Sequence, residues 1–90
     1  MVHLNIRFAV ADYPKWRAAF DTREDVRRSA GATGVRQIFR DLENPNTVTL
    51  VMEWQNADQA RKFAHDPALR EAMEKSGVIG APEIRFLNQA

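Results

Sequence analysis

Cysteine is absent from this chain of 90 residues. Its absence excludes disulfides, thiolate catalysis and any zinc or iron–sulfur site built on Cys ligands. Histidine is scarce, with only His3 and His65. Neither has a second histidine at ligand spacing or paired carboxylates beside it, so no metal site is expected. An excess of one charge is missing too: 13 basic residues face 12 acidic ones, for a formal net charge of +1. The arginines are scattered from Arg7 to Arg85, whereas a nucleic-acid footprint needs clustered positive charge, so no nucleic-acid partner is expected. Long hydrophobic runs are lacking. Phe8-Ala9-Val10-Ala11 is typical, and no membrane span is expected. Met1 to Arg7 interleaves polar and apolar side chains, unlike a signal-peptide core, which points to a cytoplasmic protein. No Gly-rich phosphate loop, Ser-His-Asp order or nucleophile elbow occurs.

What is present reads as one domain over residues 1–90, with 44% hydrophobic residues for a modest core. Val2, Leu4, Ile6, Phe8 and Val10 alternate with His3, Asn5, Arg7 and Ala9, the period of a strand with one apolar face. Asp12 offers a helix cap and Pro14 fits the first turn; Trp16, Ala19, Phe20, Val26 and Ala30 then recur at helical spacing as far as Gly31 and Gly34. Val35 to Leu42 and Thr47 to Gln55 read as strands joined by the turn residues Glu43-Asn44-Pro45-Asn46. With Leu42 opposite Thr47, Phe39 faces Leu50 and Gln37 faces Met52 on one side. On the other, Arg40 meets Thr49, Ile38 meets Val51 and Arg36 meets Glu53. Asn56 with Gln59 opens a second helical stretch, Asp66-Pro67 restarts it, Gly77 stops it, and Glu83 to Leu87 is a last strand. The order strand, helix, strand, strand, helix, strand predicts an α+β fold: a ferredoxin-like βαββαβ antiparallel sheet with helices on one face. The uncovered face then predicts a homodimer, a second copy sealing the first.

The run Val10-Ala11-Asp12-Tyr13-Pro14-Lys15-Trp16 followed by Phe20-Asp21 resembles the entry to the first helix in small dimeric α+β barrel proteins. Arg40-Asp41 with Asn44-Pro45-Asn46, Glu53-Trp54, Leu69 to Met73, and Gly77-Val78 through Phe86-Leu87 extend the likeness over nearly the whole chain. The chain resembles the short proteins grouped with antibiotic biosynthesis monooxygenases, some of them labelled cyclases. That superfamily includes cofactor-independent quinol monooxygenases, heme-degrading oxygenases, polyketide cyclases and muconolactone isomerases. The heme-degrading branch carries a tryptophan and an iron-ligating histidine on the second helix. Phe63 and Met73 stand at those positions here, and only Asn5 matches that branch's first-strand asparagine. Heme degradation is therefore not expected, and no cofactor is.

The resemblance also implies a ligand pocket between sheet and helices, lined here by Tyr13, Trp16, Phe39, Leu50, Met52, Trp54 and Phe63. Such a cleft suits a flat aromatic molecule, although the same side chains would equally serve as plain core. Tyr13 and Trp54 sit at element ends and each carries one polar atom; His65 offers an imidazole, a side chain suited to proton transfer, but stands at a helix break. These three are the catalytic candidates. The polar side of the sheet would carry His3, Asn5, Arg7, Arg36, Arg40, Thr49, Glu53 and Arg85, either as ion pairs across a dimer interface or as an anion-holding cavity. The expected function is a cofactor-independent monooxygenase acting on a phenolic, quinol or polyketide-like aromatic molecule. A cyclase or isomerase, or a non-catalytic dimeric small-ligand-binding protein, is the alternative.

Overall fold

The alternation of the first ten residues becomes β1 (Val2–Val10) in the computed structural model, which describes residues 1–90. Leu4, Ile6, Phe8 and Val10 are buried on one face. Asp12 accepts a hydrogen bond from the Lys15 N–H and Pro14 lies in the first turn, which starts α1 (Tyr13–Thr22). The expected single helix then breaks at Arg23, where the Thr22 hydroxyl donates back to the Ala19 carbonyl at 2.8 Å. A separate α2 (Glu24–Ala30) follows. β2 (Ala32–Arg40) begins three residues earlier than expected, because Gly34 does not end a helix. It sits at φ +96° within an irregular stretch of the β2–β3 ladder.

The hairpin to β3 (Thr47–Trp54) has a register one residue away from the expected one. The Asp41 N–H bonds the Thr47 carbonyl at 3.0 Å, so the loop holds five residues. Arg40 Nε braces it against the Pro45 carbonyl at 2.7 Å, Asn44 Oδ1 accepts from the Asn46 N–H, and Leu42 is left 98% exposed. A one-residue slip exchanges the two faces of a strand. Ile38 thus pairs with Leu50 on the helix side, while Phe39 pairs with Thr49 on the open face and is 51% exposed. Arg36, opposite Met52, and Arg40, opposite Val48, also lie on the helix side, so Arg36 pairs with Glu24 at 3.2 Å and not with Glu53.

Asn56 Oδ1 caps α3 (Ala57–Ala64) through the Gln59 N–H, and Asp66 Oδ1 caps α4 (Pro67–Lys75) through the Ala68 N–H. β4 (Val78–Asn88) starts five residues before the expected Glu83. Its ladder with β1 shifts register around Gly80-Ala81-Pro82, so these residues form an irregularity inside the strand instead of ending it. The sheet is antiparallel throughout, in the order β2-β3-β1-β4. This is the ferredoxin-like arrangement, with the helices on one face. The core joins the even-numbered residues of β1 and β3 to Trp16, Phe20, Ala32 and Ala60.

Gly31 ends α2 at φ +123°, and a β-carbon added there would collide with the side chain of Gln59. Gly77 has a similarly positive φ of +92° with open space around it. Gly77→Ala therefore tests backbone strain alone, on the order of 1 kcal/mol, and Gly31→Ala adds a clash. Chemical denaturation should show both variants destabilised, with Gly31→Ala the greater loss because Gln59 must shift; a smaller loss for Gly31→Ala than for Gly77→Ala would contradict the packing described.

Candidate functional site

Phe8, Trp16 and Phe20 follow one another under α1 as a column of rings. Phe8 and Trp16 are 5.2 Å apart, and Trp16 stacks on Phe20 at 5.1 Å with a 27° interplanar angle. The column ends on a cation: the Arg27 guanidinium lies 3.6 Å from the Phe20 centroid. These four side chains form one wall of a cleft between sheet and helices, closed on the other sides by Leu50, Met52, Phe63, Leu69 and Met73. Eleven of its 14 lining residues are hydrophobic. The others are Arg23, Arg27 and Ser76, so the cleft contains no carboxylate, histidine or phenol.

The enclosed volume is about 60 Å³, well below the several hundred Å³ of an ordinary small-molecule pocket. Two wider clefts adjoin it. One of about 340 Å³ lies between α4 and β4, and one of about 330 Å³ lies beside α2 and α3. Leu69 belongs to the lining of all three, which makes α4 their common wall. No residue of α4 is fully buried, and Met52 and Met73 are flexible side chains. Widening the cleft therefore requires moving few well-packed atoms.

The candidate residues fall into separate groups. Trp16, Met52 and Phe63 meet at the cleft. Phe39 does not, since the hairpin register turns it to the opposite face. Trp54 is fully buried 4.9 Å from Phe63, outside the cleft lining, and its Nε1 has no hydrogen-bond partner. Tyr13 also stays outside. The Arg40 guanidinium lies 3.9 Å from its ring centroid and Arg17 Nη1 donates to its hydroxyl at 3.4 Å. His65 is exposed at the end of α3, its ring 6.2 Å from that of Phe86. His3, Asn5, Arg7 and Glu53 share the open face, whereas Arg36 and Arg40 do not. There Glu53 accepts from the Thr33 hydroxyl at 2.9 Å and lies 4.0 Å from His3 Nε2, and Arg7 bonds Asp41 at 2.7 Å. A hollow of only about 50 Å³ lies among Asn5, Arg7, Thr49, Glu83 and Arg85.

Arg27 escapes a reading by sequence pattern because a charged residue on a helix is ordinarily assigned to solvent. The available signal is its position: it follows Phe20 by seven residues, on the stripe begun by Trp16. Burial lowers its pKa from the ordinary arginine value, an effect that the hydrogen bond to Glu24 opposes.

No family profile and no curated protein matches this chain. Solved structures do. A Bordetella bronchiseptica protein provisionally described as an antibiotic biosynthesis monooxygenase aligns over 99% of this chain and 96% of its own, with a TM-score of 0.79 at 16% identity. A Deinococcus radiodurans protein given the same provisional description aligns over 100% and 93%, with a TM-score of 0.70 at 14% identity. SnoaB of Streptomyces nogalater, described as a cofactor-independent oxygenase, aligns over 99% and 92%, with a TM-score of 0.71 at 15% identity. The chain thus shares the fold of the antibiotic biosynthesis monooxygenase-like proteins. At these identities the likeness speaks for the fold.

Proposed function

We propose that this protein is a cofactor-independent monooxygenase that oxidises a small phenolic or quinol-type ring in the cleft between sheet and helices. The observation that carries the reading is the cleft itself, lined by aromatic and aliphatic side chains with Arg23, Arg27 and Ser76 as its only polar residues. The fold shared with SnoaB adds support. The chemistry asks little of the protein. An ionised, electron-rich ring gives one electron to dioxygen, and the resulting radical pair combines to form a carbon–oxygen bond. The peroxide anion regains the proton lost when the ring ionised, and loss of water from the hydroperoxide leaves a carbonyl at a carbon that is CH₂ in the keto form of the substrate. One oxygen atom enters the product, the other leaves as water, and the substrate supplies all four electrons that dioxygen takes up. The protein binds the ring, orients it and excludes water from the reactive carbon.

Cyclisation or isomerisation would need a group that moves a proton at the ring, and no carboxylate, histidine or phenol lines the cleft. Purified protein should consume oxygen above background with an anthrone or a substituted hydroquinone. The product should carry one atom from isotopically labelled dioxygen, and Trp16→Ala should lower kcat/KM by at least about tenfold. Background-rate uptake across such a panel would sink the proposal and leave a ligand-binding protein.

The same proposal makes the protein a homodimer joined through the open sheet face. Phe39, Ile79 and Leu87 are 51%, 57% and 40% exposed there, an apolar surface that a second sheet would cover. Sedimentation at micromolar concentration should give a species of twice the chain mass, and Phe39→Glu should shift it toward the monomer. A monomeric wild-type protein would contradict this assembly.

A further inference from the structure

Arg27 is the only charged side chain that is more than nine-tenths buried, at 5% exposure. A guanidinium presents five N–H donors, and a buried one needs acceptors for them. Here Nη2 donates to Glu24 Oε2 at 3.1 Å, and this is its only hydrogen bond. Nε and Nη1 have no protein acceptor and are not fully enclosed, and the side chain borders both the cleft and a hollow of only about 10 Å³ beside Glu24 and Arg36. The Glu24 oxygen is shared, since Arg36 Nη1 also donates to it at 3.2 Å. Asp21, the next carboxylate, lies 3.9 Å from Arg36 and 3.1 Å from Arg17. Three guanidiniums thus draw on two carboxylates, and Arg23 on the cleft wall has no ion pair at all. The three exceed their two carboxylates by one charge and Arg23 adds a second unpaired cation; of these, Arg27 alone is buried, in the cleft wall.

We propose that the cleft selects the singly charged anion of a ring compound, with its phenolate or enolate oxygen on Arg27 and its ring against Phe20 and Trp16. The assignment rests on the reading of the cleft as the ligand site. It goes further by naming the group that fixes orientation and the ionisation state that is bound. A guanidinium donates to such an oxygen through charge-assisted hydrogen bonds, which strengthen away from water. Holding the ionised form also retains the electron-rich species that reacts with dioxygen. The lowered pKa of Arg27 accords with a cation that has been desolvated without full compensation.

Paired probes test the assignment. The phenolate of p-nitrophenol is coloured and carries the anion; nitrobenzene has the same ring without it. In the wild-type protein the phenolate should bind at least about tenfold more tightly than nitrobenzene, and the apparent pKa of bound p-nitrophenol should fall by at least about one unit, which corresponds to about tenfold tighter binding of the phenolate than of the neutral phenol. Arg27→Met keeps the length and apolar stem of the side chain. It should cost the phenolate at least about tenfold in affinity and change nitrobenzene binding by less than about threefold. Should the variant not fold, the pKa of the probe on the wild-type protein decides alone. An unchanged or raised probe pKa, or equal phenolate affinity in a folded variant, overturns the role of Arg27 while nitrobenzene binding preserves the cleft. If neither probe binds, both this assignment and the reading of the cleft as a ligand site fall. Intact phenolate selectivity without oxygen uptake would remove only the oxygenase reading.

Discussion

The double row of apolar side chains on the two central strands is the constraint from which the rest follows. Leu4 lies opposite Met52, Ile6 opposite Leu50 and Phe8 opposite Val48. Each is 5% exposed or less. Complete burial of an aliphatic or aromatic side chain contributes roughly 1.5–3 kcal/mol, so this block outweighs any surface ion pair in the molecule. Because the period is two, the same pairing sends His3, Asn5, Arg7, Thr49 and Glu53 to the reverse side. One choice of parity therefore decides where the helices dock, where the cleft forms and which surface is left uncovered.

The cleft shows what happens when that packing is nearly, but not completely, closed. Trp16 and Phe20 press their rings onto the sheet, and the break at Arg23 redirects the chain so that α2 also presents a side chain to the same space. That side chain is a guanidinium. A hydrophobic residue would pack there at no electrostatic cost, whereas Arg27 is buried with half a carboxylate for a partner. Polar groups held under such terms are more common at ligand sites than in plain cores. On the reverse side Arg7 pairs with Asp41 and Glu53 accepts from Thr33, with hydrophobic side chains toward the outer strands. That pattern suits contact with another sheet better than capture of a small molecule.

Much of this was legible in the sequence, and the rest failed for identifiable reasons. The strand alternation of Val2 to Val10 and the caps at Asp12, Asn56 and Asp66 are local effects, and each is found where expected. The hairpin register is not local in that sense. It turns on a brace between Arg40 and the Pro45 carbonyl and on Leu42 remaining in solvent, and sequence alternation favours neither over the shorter loop. That single residue moved Phe39, Arg36 and Arg40 to faces opposite those expected. Gly80 and Pro82 have the composition of a strand end, yet β4 tolerates them within an irregular stretch. In the site, Trp16, Met52 and Phe63 were visible as apolar residues at element spacing. Trp54 was visible too, but an apolar pattern cannot distinguish a cleft wall from solid core. Arg27 was obscured by its charge.

On the proposed function, a small aromatic ligand enters the helix side of the sheet and not its open face. The chain's three methionines provide the most direct measurement. Met52 and Met73 line the cleft, whereas Met1 is exposed at the N-terminus. Methyl NMR of methionine-labelled protein, titrated with a substituted hydroquinone under anaerobic conditions, should show ring-current shifts at Met52 and Met73 with Met1 unmoved. Saturable binding that leaves both cleft methyls unshifted, with backbone signals moving at Asn5, Thr49 and Val51 instead, would contradict the account.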